Sequence, residues 1–109
     1  MRTISELKEL QTVLNTPTWK GVAKELVRKG LNPEKILIAE VFPEDSCQEY
    51  WAVVSHDKGI YEFYYDWLES KDRESGKIIE WKDVTHNPGE AYMRDSIYDV
   101  LAHFDELIV

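Results

Sequence analysis

The sequence predicts an α+β domain: two N-terminal helices, a four-stranded antiparallel β-meander and a C-terminal helix, with the helices packed on one face of the sheet. Three observations lead there. Apolar residues recur at helical spacing near both ends of the chain and at strand spacing between residues 35 and 84. The strand-like runs follow one another through short polar links, as antiparallel neighbours do, whereas parallel neighbours need a long crossover. The chain of 109 residues, with Cys47 its one cysteine, has the length of a single domain that closes one core without disulfides.

The first helix is expected over Ser5 to Leu14. Ile4, Leu7, Leu10 and Leu14 share a stripe, and Thr3 with Glu6 matches a Thr-x-x-Glu capping box. Pro17 suits the first turn of a second helix, where no amide hydrogen is needed. That helix aligns Trp19, Val22, Ala23, Leu26 and Val27 and ends on Arg28 and Lys29 before Gly30, a left-handed cap. Basic residues at the carbonyl pole answer the helix dipole and do not require a phosphate site.

The first strand is Lys35 to Phe42, ended by Pro43, and the second is Gln48 to Ser55. His56, Asp57, Lys58 and Gly59 make a compact hairpin loop, with Gly59 expected at a positive φ. Along the third strand, Ile60 to Leu68, Tyr61, Phe63, Tyr65 and Trp67 point one way while Glu62, Tyr64 and Asp66 point the other. The fourth strand, Lys77 to Val84, is expected to place Ile79 and Trp81 opposite Ile78, Glu80 and Lys82. Met93, Ile97, Val100, Leu101, Phe104 and Ile108 then mark a long amphipathic helix whose outer face carries Asp95, Asp99 and Glu106.

Charge divides the chain. The formal net charge is −8, but the segment Met1 to Lys35 carries +3 and the remainder −11. A field of that sign repels a phosphate backbone and attracts a basic protein, so nucleic acid is not an expected partner. No run approaches the roughly 18 to 20 apolar residues of a membrane span, and the N-terminus lacks the apolar core of a secretory signal. With a lone thiol, these features lead to the expectation of a cytoplasmic protein with no membrane role.

Catalytic and metal chemistry finds little footing. His56, His86 and His103 stand far apart without a second ligand at metal spacing. Cys47 lies among Glu44, Asp45 and Glu49, which oppose thiolate formation. Glu62 and Asp66, four residues apart on a strand, stand about 13 Å from each other, beyond the roughly 5 to 9.5 Å of a glycosidase pair. Phosphate-loop, dinucleotide, nucleophile-elbow and zinc-protease motifs are missing from the sequence. The expectation is a protein that is not an enzyme and uses neither metal nor cofactor.

What remains is a surface of rings and acids: Tyr50, Glu62, Tyr64, Asp66 and Glu80 on the sheet, with Asp95 and Asp99 on the last helix. Such a surface suits a protein-binding module, and the general outline is similar to that of small bacterial immunity proteins. The resemblance implies an inhibitor that masks a basic partner. Two alternatives fit the same features: an accessory subunit that self-associates through its aromatic sheet face, as a homodimer, and a small-ligand-binding domain or enzyme with a pocket between sheet and helices.

Overall fold

The computed structural model describes residues 3–44, 48–57, 59–87 and 94–107. The expectations placed on Cys47, Met93 and Ile108, and on the side chain of Asp95, lie outside the described residues. The chain runs α1 (Ile4–Leu10), a 3₁₀ turn (Gln11–Asn15), α2 (Pro17–Arg28), a second 3₁₀ turn (Pro33–Lys35), β1 (Ile36–Glu44), β2 (Glu49–His56), β3 (Gly59–Asp66), β4 (Lys77–Asp83), α3 (Arg94–Ala102) and α4 (Phe104–Leu107). The sheet is an antiparallel meander in the order β1-β2-β3-β4, giving the α+β architecture the sequence predicts.

The helix signals work as local chemistry dictates. Thr3 Oγ1 accepts from the Glu6 N–H at 3.2 Å, and the Glu6 carboxylate accepts from the Thr3 N–H at 3.0 Å, completing the capping box. Thr16 caps α2, with Pro17 in its first turn. At the other end, Gly30 has φ 88°. Its N–H donates to the Val27 carbonyl at 2.9 Å while the Leu31 N–H donates to the Leu26 carbonyl at 3.0 Å, a Schellman motif in which the buried Leu31 and Leu26 supply the apolar contact.

The helices do not share one face of the sheet. Trp19, Val22 and Leu26 of α2 pack with Ile36, Ile38, Tyr50, Ala52, Val54, Phe63, Tyr65 and Trp67. Ile97 and Val100 of α3 and Leu7 of α1 pack with Leu37, Ala39, Trp51, Val53, Ile60 and Val84 on the opposite face. The reason is in β2, where every residue from Tyr50 to Ser55 is buried. A strand apolar on both sides needs cover on both.

The first helix is also shorter than its apolar stripe implies. After Leu10 the backbone tightens into the 3₁₀ turn, so that Leu7 serves the α3 side while Leu10, Val13 and Leu14 serve the α2 side. The segment thus wraps around the β1 edge. Gln11 closes that edge: its amide nitrogen donates to the Ile38 carbonyl at 2.9 Å and its amide oxygen accepts from the Ile38 N–H at 2.7 Å. Val27, expected on the buried stripe of α2, is 56% exposed because it sits about 100° around the helix from Leu26.

Two further local expectations give way. Gly59 pairs with His56 and does not have a positive φ; Asp57, at φ 46°, takes that conformation in the hairpin loop. A Cβ at Gly59 would meet the Tyr61 hydroxyl at 2.7 Å, so a larger residue there has to move the end of that side chain. In β4, Glu80 adopts φ 52° at a register shift, so that Ile78 and Trp81, not Ile79 and Trp81, share the α2 face. Trp81 stacks on Tyr61 with centroids 5.0 Å apart and on Phe63 at 5.7 Å, and the Lys29 ammonium sits 5.1 Å from its ring centre.

The last helix is broken at His103 into α3 and α4. Its carbonyl takes the N–H groups of both Glu106 and Leu107, each at 3.1 Å, restarting the helical ladder one turn on.

Candidate functional site

The alternation of β3 separates its two faces as the sequence implies. Phe63, Tyr65 and Trp67 are buried beneath α2, with Tyr61 packed at the margin, so the ring-rich face is core. Glu62, Tyr64 and Asp66 are each half-buried on the other face. There α3 packs over β1 and β2. Glu62 and Tyr64 lie on β3, opposite Lys82 and Ile79 of β4.

Two residues not singled out in the sequence organise this strip. Trp51 stands opposite Tyr64 across the β2–β3 hairpin, and its indole N–H donates to the Glu62 carboxylate at 2.9 Å. Phe42, opposite Trp51 on β1, stacks on the same indole at 5.0 Å with the rings 27° apart, and is itself 40% exposed. A carboxylate is therefore oriented by a buried indole beside an exposed ring. Lys82 stands opposite that carboxylate across the β3–β4 pair, and the arrangement offers no nucleophile beside a base.

The remaining predicted site residues are dispersed. Tyr50 does not join the strip: it lies on the α2 face, 4% exposed, 6.0 Å from Trp67 in an edge-on contact and 5.9 Å from Tyr65. Burial, reinforced by the neighbouring Tyr65, pushes its phenol well above the usual range. Among the described residues its hydroxyl has no hydrogen-bond partner. Tyr50→Phe is therefore expected to leave thermal stability unchanged or to raise it by up to about 1 kcal/mol, because an unmet buried hydroxyl is a cost that the phenyl ring removes. A clear loss in the melting temperature would show that the hydroxyl is satisfied after all.

Asp66 belongs to the end of β3, where Oδ1 accepts from the Leu68 N–H at 2.8 Å and fixes the turn. It also lines an open cleft of about 300 Å³ with Glu69, Ser70, Ser75, Gly76 and Lys77, in which Lys77 and Glu69 approach to 3.6 Å. Glu80 is exposed at the β4 bulge. Asp99 is half-buried on α3, away from the β3 strip in sequence and on a separate element.

A second cleft, about 460 Å³, opens at the hairpin end of the sheet between His56, Asp57, Gly59, Tyr61, Asp83, Thr85 and His86. The Thr85 hydroxyl and N–H both donate to Asp83 Oδ1, at 2.5 and 2.9 Å, and hold its carboxyl below the usual carboxylate range. A folded-state pKa that is lowered contributes stability above the unfolded value, lost as the pH falls through the folded one. Because Asp83 is exposed, solvent screening keeps that contribution small.

Among the described residues no group of three or more His, Cys, Asp or Glu is placed to hold a metal ion. No described helix is long and apolar enough to cross a membrane. Comparison with known proteins returns no match among protein-family models, curated proteins or solved structures.

Proposed function

We propose that the chain is a protein-binding module of the inhibitor or immunity type, which engages a basic partner through the strip of Phe42, Trp51, Glu62 and Tyr64. The observation that carries this reading is the Trp51–Glu62 hydrogen bond beneath the exposed Phe42 ring, which presents a fixed acid within an aromatic surface. Aromatic residues supply contact area at low entropy cost, and a strongly acidic chain draws a cationic surface toward itself. The net charge of −8 supports the same choice of partner.

Self-association through opposite charges is supported less well. The basic residues Lys20, Lys24 and Arg28 belong to α2 and the acidic Asp99 to α3, and these helices pack on opposite faces of the sheet. Pairing one with the other between copies is head-to-tail, which does not close into a two-fold dimer. The clefts that would support a small-ligand domain are open and lined mainly by polar and charged side chains.

The test combines the double substitution Glu62→Ala and Tyr64→Ala with salt. A basic protein that binds the wild-type chain is expected to associate more slowly as ionic strength rises, and to bind the double variant about tenfold or more weakly. Because Glu62 accepts from the buried Trp51 indole and Tyr64 packs on the α3-side core, the variant is also expected to melt at a lower temperature, and circular dichroism checks that it is folded where binding is measured. A folded double variant with full affinity would move the interface elsewhere. Binding indifferent to salt would remove the electrostatic basis of the reading.

A further inference from the structure

We propose that His56 is a pH-operated latch that ties the tip of the β2–β3 hairpin to the connection between α2 and β1. The Asn32 N–H donates to His56 Nε2 at 3.0 Å. An imidazole nitrogen accepts only when it carries no proton, so this bond requires the neutral ring with its proton on Nδ1. Asn32 is a junction: it follows Leu31 of the Schellman motif, and its side chain accepts from the Glu34 N–H at 3.0 Å to start the second 3₁₀ turn. One ring therefore joins two segments that are 24 residues apart in sequence.

Protonation replaces that acceptor by a second donor aimed at the Asn32 N–H, and the bond ends. The charged ring has other partners to hand. Asp57 on its own hairpin and Asp83 at the end of β4 line the same cleft, with Tyr61 and His86. Asp83 is held as a carboxylate by Thr85. His86, when protonated, opposes a second positive charge there. On the other side of the bond, Glu34 and Lys35 flank Asn32 in the 3₁₀ turn, both exposed and of opposite sign. The ring thus has two competing arrangements: neutral and bonded to Asn32, or charged and drawn toward the carboxylates of the cleft.

Hydrogen exchange followed residue by residue by NMR tests the latch in the full chain. Between pH 8 and pH 5, the protection of the Asn32 amide, corrected for the intrinsic exchange rate, is expected to fall about fivefold, the factor carried by one net hydrogen bond. His56→Gln places a non-titrating carbonyl oxygen near the position of Nε2, and its Asn32 protection is expected to stay level over the same range. Protection in the wild-type chain that does not change with pH would overturn the latch. An equal acid-induced loss in His56→Gln would also overturn it, by assigning the titration to another group.

Discussion

Gly21→Ala is expected to destabilise the protein by about 2 to 4 kcal/mol and lower its melting temperature by on the order of 10 °C, although alanine is the better helix former. Gly21 lies inside α2, where exchanging glycine for alanine normally gains roughly 1 kcal/mol. Here a Cβ would collide with the Tyr65 hydroxyl and come within 2.8 Å of the Arg73 carbonyl oxygen. That hydroxyl is committed: it donates to the Arg73 carbonyl at 2.9 Å and accepts from the Gly76 N–H at 2.8 Å. It holds the β3–β4 loop against α2. Displacing it loses both bonds, about 1 kcal/mol each, and adds the strain of overpacking, about 1 to 3 kcal/mol, so the clash outweighs the propensity.

A double-mutant cycle makes this specific. Tyr65→Phe alone is expected to cost about 1 to 2 kcal/mol, because it leaves the Arg73 carbonyl and Gly76 N–H without the hydroxyl. Combined with Gly21→Ala, the two losses should sum to less than their separate values, since the phenyl ring lacks the atom that the new methyl meets first. The relief is partial: the ring carbon and the Arg73 carbonyl oxygen each remain 2.8 Å from the added Cβ. Strict additivity in thermal or urea denaturation would show that Gly21 and Tyr65 do not meet. A melting temperature unchanged by Gly21→Ala would remove the close approach altogether.

Neither residue announces this role in sequence. Gly21 is an unexplained glycine within a helical pattern, and its reason is the far end of a side chain 44 positions away. The features that could be read were local. Thr3 with Glu6, Pro17, Gly30 and the alternation of Tyr61 to Trp67 act within a few residues of themselves, and each is found where the sequence places it. The helices were expected on one face because β3 alternates, but β2 does not: Tyr50 to Ser55 includes Trp51, Ala52, Val53 and Val54 without a charged residue. That unbroken run already requires cover on both faces.

The candidate strip was half legible for a related reason. Glu62 and Tyr64 follow from alternation within one strand. Their neighbours follow from hairpin register, which pairs His56 with Gly59 and therefore Trp51 with Tyr64. Counting along that register places Trp51 rather than Tyr50 beside Tyr64, because a shift of one residue changes the face. The Glu80 bulge left no such trace, since positive φ at a glutamate is set by the tertiary pairing of β4. The His56 bond to Asn32 was equally hidden, as it joins a hairpin tip to a helix exit.

Gln11→Ala is expected to cost about 2 to 4 kcal/mol, more than its exchange of one half-buried polar side chain for a methyl implies. In an antiparallel sheet an edge residue turns its N–H and carbonyl outward, where another strand can pair with them. The Ile38 side chain is fully buried, and both outward groups of its backbone are taken by the Gln11 amide. A third bond, from the same amide nitrogen to the Leu7 carbonyl at 3.1 Å, fixes the side chain to its own helix. Alanine leaves two main-chain groups without partners, each costing about 1 to 3 kcal/mol where water does not enter. Gln11→Glu is expected to fare little better, because a carboxylate still accepts from the Ile38 N–H but has no donor for the carbonyl. The same loss exposes β1 as a template, so the alanine variant is expected to form oligomers at concentrations where the wild-type chain does not. Thermal denaturation reads the first effect and sedimentation velocity the second. A Gln11→Ala protein with wild-type stability and sedimentation would show that water or a neighbouring group closes this edge as well as the glutamine does.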